Sequence, residues 1–325
     1  MTSLSNQADP RGVGRVQTRG GGATAVQSVQ TAISGTYPML YAFFGAEGDV
    51  LREPFARQIA AAIAAGAAGI AVLGLGTEVG KLSRAEQRQI VEWVVADLSG
   101  RLPLAVTVAG GPVAEMIGDA RFAEQAGAGW LILQPPRPPI SGAQLVAYFG
   151  RVAASVSCPV AIQNAPDFLG VGLSAAELLA LHRAHPNVSV VKAESSAVAV
   201  ASLIGALGPE MAVFNGRAGM ELTDNYRAGV AGMIPGTETI DLQVAVARAM
   251  AQGDEPAAES HYRRLLPITA FIMQGLSHFV LYGKLIAGHR LGLAASHLRL
   301  PSDIPTPQGL RWARRLADDL GPLAP

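Results

Sequence analysis

The chain has 325 residues, of which half are hydrophobic and 15% charged, and its 25 Lys plus Arg balance 25 Asp plus Glu. Zero formal charge, with no basic run interleaved with aromatics, argues against nucleic acid or an anionic membrane surface as a partner. A single cysteine, Cys158, excludes an internal disulfide and makes a cytoplasmic location the default expectation.

Residues 1–30 are rich in Gly, Ser, Thr, Gln and Ala without apolar periodicity, and are expected to be a flexible leader outside the fold. They lack a charged n-region followed by an apolar stretch, so no secretory signal is expected. From Tyr37 onward short apolar runs recur, beginning with Pro38–Phe43 and Gly69–Gly74. Gln58–Thr77 carries no charge over a span-like length, but its Ala content and the breaks at Gly66 and Gly69 predict a buried helix, a turn and a strand instead of a membrane span. Further runs follow at Leu104–Val108, Trp130–Gln134, Val160–Asn164, Val188–Lys192, Ala212–Asn215 and Ala231–Pro235. Runs that are apolar throughout fit strands covered on both faces, as in a parallel sheet with crossover helices. Between them Ser83 with Glu86, and Ser174 with Glu177, have capping-box spacing at helix starts.

Eight strand–helix units predict an α/β fold, a (β/α)8 TIM barrel with its core over residues 31–240. Residues 241–325 are expected to hold the last barrel helix and a C-terminal helical extension. A doubly wound sheet is the competing fold, but no G-x-G-x-x-G follows the first strand to support a dinucleotide site.

Lys192 closes the apolar run Val188–Val191. Burying a lysine costs several kcal/mol unless it is paired or loses its proton, and a desolvated neutral amine can attack a ketone to form a Schiff base. A strand-end lysine whose stem packs while its head reaches water is the alternative. In a barrel of this kind chemistry gathers at the C-terminal strand ends. There the sequence places Gln163 and Asn164 on strand five, Thr77 and Glu78 after strand two, and Asn215 and Arg217 after strand seven, which favours a functional Lys192. Glu194, two residues on, shares the lysine's side if the strand continues that far. The histidines show no metal-ligand pair on one helix face, so no metal is expected. Cys158, before Pro159 at a strand start, reads as a packed thiol.

Over about residues 35–300 the chain resembles the dihydrodipicolinate synthase and N-acetylneuraminate lyase superfamily of Schiff-base aldolases. Gly74-Leu75-Gly76-Thr77-Glu78, followed by Leu82-Ser83 and Glu86, stands where that family has G-T-T-G-E and L-S-x-x-E. Val191-Lys192-Ala193-Glu194 stands at its imine-forming lysine, and Gln163-Asn164-Ala165-Pro166 at its Y-N-x-P segment. The resemblance implies a 2-oxo acid substrate, a covalent imine on Lys192 with no separate cofactor, and a homo-oligomer, a tetramer assembled from dimers or a dimer.

The departures narrow this. Gln163 replaces the proton-relaying tyrosine, and a carboxamide is no general acid or base near neutral pH. Asp167-Phe168-Leu169-Gly170 lacks the arginine that synthases use for a carboxylate. Gln-x-Ala-Pro with Lys-x-Glu is similar to the 2-keto-3-deoxy-L-arabonate dehydratase branch, which implies dehydration, or retro-aldol cleavage, of a 2-keto-3-deoxy sugar acid. In that reading Glu194 or Glu78 carries the proton. Gly76 and Thr77 hold the substrate carboxylate, Gln163 and Asn164 orient hydroxyls or water, and Asn215 and Arg217 meet the distal end. Lys284 and Arg137 fall near positions that matter in relatives; Lys284 reads as structural. A pyruvate-condensing synthase and a non-catalytic 2-oxo-acid-binding barrel are the alternatives.

Overall fold

A computed structural model describes residues 33–294 and 297–324. The expected leader therefore lies outside the described residues. Eight parallel strands form one sheet: β1 Gly35–Thr36, β2 Ile70–Val72, β3 Leu104–Val108, β4 Trp130–Leu133, β5 Val160–Gln163, β6 Val188–Lys192, β7 Ala212–Asn215 and β8 Gly232–Met233. Their order is β1-β8-β7-β6-β5-β4-β3-β2. The remaining two edges meet through Met39, which bridges in parallel to both Ala71 and Gly236. Ala71 N–H donates to Pro38 O and Leu40 N–H to Ala71 O, each at 2.9 Å. The sheet thus curls round on itself as a TIM barrel.

The first strand differs from the sequence expectation. Its ladder occupies Gly35–Thr36, and the apolar run Pro38–Phe43 supplies only the Met39 bridge before leaving the barrel. Pro38 has no N–H to give a ladder. Beyond it, Tyr41 N–H turns to the Gln58 side chain at 2.8 Å, and Phe43 O accepts from Leu51 N–H at 2.9 Å.

The crossover helices are α1 Glu53–Ala65, α2 Arg84–Leu98, α3 Val113–Ala126, α4 Gly142–Ala153, the short α5 Pro166–Leu169, α6 Ala175–Ala184, α7 Ala197–Leu207, α8 Leu222–Ala228 and α9 Ile240–Ala251. Both predicted capping boxes form, at Ser83/Glu86 and Ser174/Glu177, and a third forms at Ser141/Gln144.

Two apolar layers follow from strands buried on both faces. The outer one packs helices on the sheet. The inner one fills the barrel: Tyr37 meets Trp130 edge-on at 5.3 Å between ring centroids and Phe214 at 5.9 Å. Trp130 opens β4, so this aromatic plug closes the N-terminal end and leaves open space at the other. Burying each such ring contributes about 1.5–3 kcal/mol.

After α9 the chain runs through α10 Glu255–Ile272, α11 Leu276–His278, a π-helical turn Phe279–Gly283, α12 Lys284–Arg290 and α13 Pro307–Leu320. The extension is helical as expected: α10 ends at Ile272, the chain bends by 113°, and α11, the π-helical turn and α12 run on from Leu276 to Arg290. The bend lets Phe279, Tyr282 and Ile286 pack with Ile268, Ile272, Leu316 and the Tyr41–Phe43 segment in a second core at the barrel mouth. Among the described residues no single helix is long and apolar enough to cross a membrane, and no cluster of metal-ligating side chains occurs.

Candidate active site

Lys192 is the last residue of β6, in register with Gln163 on one side and Phe214 on the other. Phe214 is fully buried and Gln163 half-buried beside it; the lysine is only 6% exposed, and its ammonium must find a counter-charge. It finds the Glu194 carboxylate two residues later. The geometry differs from an extended strand. β6 ends at Lys192, and Glu194 has a left-handed backbone, φ 49°, which folds its side chain back onto the lysine. Such a conformation costs a non-glycine residue on the order of 1–3 kcal/mol and persists only where surroundings enforce it. Here Glu194 Oε2 accepts the Arg217 backbone N–H at 3.1 Å, and Arg217 and Ala218 are themselves left-handed.

Lys192, Glu194, Gln163, Gly76, Glu78 and Arg217 line one cavity of about 530 Å³ at the C-terminal strand ends. Gln163 accepts a hydrogen bond from Gln134 Nε2 at 2.9 Å, and Gln134 lines the same cavity. Gln134 was not among the sequence candidates, although its place at the end of the fourth apolar run is the same signal that marked Gln163.

Thr77, Asn164 and Asn215, expected to touch substrate, are turned into the scaffold and do not line this cavity. The Thr77 hydroxyl donates to Leu40 O at 2.7 Å and accepts from Leu73 N–H at 3.0 Å, fixing the strand-two turn. Asn164 pins the loop after α5 by exchanging two hydrogen bonds with the Leu173 backbone, at 2.9 and 2.7 Å. Asn215 spans Ser195 O and the Asn225 side chain, each at 2.8 Å, and is fully buried. Each has the strand-end polarity of a site residue, yet spends it on backbone groups that would otherwise be buried unpaired.

Glu78 is buried and held between two ammonium groups, Lys81 at 2.5 Å and Lys284 from α12. A carboxylate gripped from both sides is a poor proton shuttle, which leaves Glu194 as the carboxylate at the lysine. Desolvation lowers the Lys284 pKa, opposed by Glu78. Arg217 pairs with Glu221 at 3.2 Å. Arg137 lines the cavity from the proline-rich loop after β4. Burial raises the Cys158 thiol to about 12, with the Glu124 carboxylate adding to the effect, as befits a packed thiol.

A parallel barrel with a cavity lined by a buried lysine and a carboxylate at its C-terminal mouth has the architecture of a TIM-barrel enzyme. The chain belongs to the dihydrodipicolinate synthetase family, which matches residues 32–306. Its members are lyases and aldolases, and this chain is an enzyme of that lyase class. It is 28% identical over 271 residues to YagE of Escherichia coli K12, provisionally named a 2-dehydro-3-deoxy-D-gluconate aldolase, covering 79% of this chain and 90% of YagE. It is 30% identical over 240 residues to the 4-hydroxy-tetrahydrodipicolinate synthase of Agrobacterium fabrum, covering 72% of this chain and 81% of that one. The crystal structure of YagE in complex with pyruvate superposes with a TM-score of 0.82 at 26% identity, over 88% of this chain and 98% of that one.

Proposed function

We propose that this protein is a Schiff-base-forming lyase that dehydrates a 2-keto-3-deoxy sugar acid. The observation that carries the reading is the Lys192–Glu194 pair facing the cavity beside a glutamine, Gln163, where synthases of the family have a tyrosine. Glu194 accepts the lysine's proton, and the neutral amine adds to C2 of the 2-oxo acid. The protonated Glu194 carboxyl gives that proton to the carbinolamine hydroxyl, which leaves as water; this regenerates the carboxylate and gives an iminium, which acidifies C3. Glu194 removes the C3 proton, the enamine expels hydroxide from C4, and the same carboxyl returns its proton to that hydroxide as water. Hydrolysis of the conjugated imine frees the lysine. Gln163, braced by Gln134, hydrogen-bonds a hydroxyl or water, and the backbone around Gly76 receives the substrate carboxylate.

Carbon–carbon cleavage from the same imine is the second reading, supported by the similarity to YagE. A pyruvate-condensing synthase fits less well, since Gln163 and the Asp167–Gly170 segment supply neither the tyrosine nor the arginine of those enzymes. We also propose a homo-oligomer, in keeping with the lightly charged composition.

The test is incubation with pyruvate and borohydride, then with a panel of 2-keto-3-deoxy acids, with adduct, pyruvate and dehydrated product followed by mass spectrometry. The expected result is an adduct on Lys192, absent in Lys192→Ala, and a dehydrated product. Trapping without turnover across the panel would indicate a binding protein, and no trapping would remove Lys192 as nucleophile.

A further inference from the structure

One wall of the cavity comes from the C-terminal extension. Pro301, Ser302 and Asp303 line it, on an irregular strap that precedes α13. This strap is anchored at three points. His297 N–H donates to Phe44 O at 3.1 Å, and Thr306, the N-cap of α13, donates its N–H to the Tyr282 hydroxyl at 3.3 Å.

The middle anchor is Arg299, which does not line the cavity itself. Its guanidinium grips both Glu86 oxygens, at 2.6 and 3.1 Å, donates to Lys81 O at 3.0 Å and to Gly48 O, and stacks over the Phe44 ring at 4.4 Å. The bidentate pair holds the Glu86 carboxyl down at about 2. One side chain thus ties the strap to the 3-10 turn Val79–Lys81, whose three residues also line the cavity, and to the loop before α1. Planar, multiply bonded arginine contacts of this kind fix geometry as well as charge.

We propose that residues 297–304 form a substrate-facing wall and that Arg299 is the positioning residue that sets it, so that it governs the fit of the substrate's distal half without affecting imine formation at Lys192. This rests on the 2-oxo acid reading above. The polar groups the strap brings, the Ser302 hydroxyl and Asp303 carboxylate, suit a hydroxylated tail, since a carboxylate accepts hydrogen bonds from hydroxyls and repels a second acid group.

The experiment compares wild type with Arg299→Met, which keeps an apolar stem over Phe44, Arg299→Lys, and Glu86→Gln, which preserves the capping box. Two ligands are used: pyruvate, trapped with borohydride, as the short probe, and a five- or six-carbon 2-keto-3-deoxy sugar acid. Arg299→Met should trap pyruvate at the wild-type rate but raise KM for the sugar acid about tenfold or more with kcat nearly unchanged. Glu86→Gln should move KM the same way by less, and Arg299→Lys should fall between wild type and Arg299→Met. Unchanged KM in all three variants, or loss of pyruvate trapping by a folded Arg299→Met, overturns the proposal. Failure of wild type to trap pyruvate overturns the Schiff-base reading instead. Hydrogen exchange then judges the wall alone: Arg299→Met must speed exchange over 298–304 while β6 stays protected, and equal exchange refutes it.

Discussion

Gly216 and Glu194 are packed so closely that a Cβ on the glycine would lie 2.6 Å from the carboxylate oxygen Oε1. Gly216 has φ −133°, so space is what demands glycine there. The glycine lets the chain after β7 slide against the acid that meets Lys192, and the backbone N–H of the next residue, Arg217, then holds that acid. Gly216→Ala should therefore push Glu194 off the lysine. The expected outcome is a fall in kcat of about 100-fold with a melting temperature close to wild type, since a 1 Å misplacement is enough for such a loss. Steady-state kinetics beside a thermal melt checks it, and near-normal kcat would show that Glu194 need not sit there.

Glu194→Gln keeps a hydrogen-bonding partner for the ammonium but removes the carboxylate proposed as proton carrier. Turnover should drop by about 10² to 10⁴, the usual worth of general acid–base catalysis. The pyruvate adduct on Lys192 should still form, more slowly. Rapid-quench kinetics with borohydride separates the two steps, and turnover within a few-fold of wild type would move the proton carrier to another group.

The buried pair of Glu78 and Lys284 joins the strand-two turn to the C-terminal extension, with Lys284 also donating to Ala42 O at 3.1 Å and lying 4.9 Å from the Phe44 ring. Removing Lys284 leaves the buried Glu78 carboxylate with Lys81 as its one remaining cation, so Lys284→Met should cost stability, by less than the roughly 3–5 kcal/mol of a fully uncompensated charge. The double variant Glu78→Gln with Lys284→Met should recover part of that. Urea unfolding of wild type, the two single variants Glu78→Gln and Lys284→Met, and the double variant measures the coupling, and additive losses would contradict a direct pair.

Glu238 is fully buried; its Oε2 accepts the Tyr41 hydroxyl at 2.8 Å, and its Oε1 has no hydrogen-bond partner among the described residues. Desolvation raises its pKa to about 7, against the lowering effect of the Tyr41 bond. A carboxyl whose folded pKa exceeds its unfolded one binds more protons when folded. Its contribution is present below the unfolded value near 4.5 and is lost as pH rises through 7. The window from pH 5 to 8 should thus show stability falling by on the order of 3 kcal/mol from this group, and Glu238→Gln should flatten that slope. Denaturation midpoints at pH 5.5 and 8 decide it; parallel slopes in both proteins would rule it out.

Much of the architecture is legible in local pattern. Runs such as Leu104–Val108 and Val188–Val191 are buried on both faces, as two-sided strands require, and Ser83/Glu86 and Ser174/Glu177 cap helices where their spacing says. The first strand was misplaced because Pro38–Phe43 is apolar for another reason: Tyr41 and Phe43 pack into the core of the C-terminal extension. At the site, strand-end polarity marked Lys192 and Gln163, but the same polarity marked Thr77, Asn164 and Asn215, which bond to the scaffold. Polarity shows that a side chain needs a partner; it does not say whether that partner is backbone or ligand.

The sequence by itself determined the repeat of strands and helices, the family motifs and the lysine at the end of the sixth strand, because burial periodicity, capping and residue chemistry are properties of neighbours along the chain. Only the tertiary structure decided that Glu194 turns back onto Lys192, that Gln134 braces Gln163, that Lys284 occupies Glu78, and that Arg299 carries the C-terminal strap to the mouth. These pairings depend on left-handed turns and on contacts between residues up to 213 positions apart. Their energies come from charges and hydrogen bonds shielded from water, an environment that exists only once the barrel and its extension have closed around them.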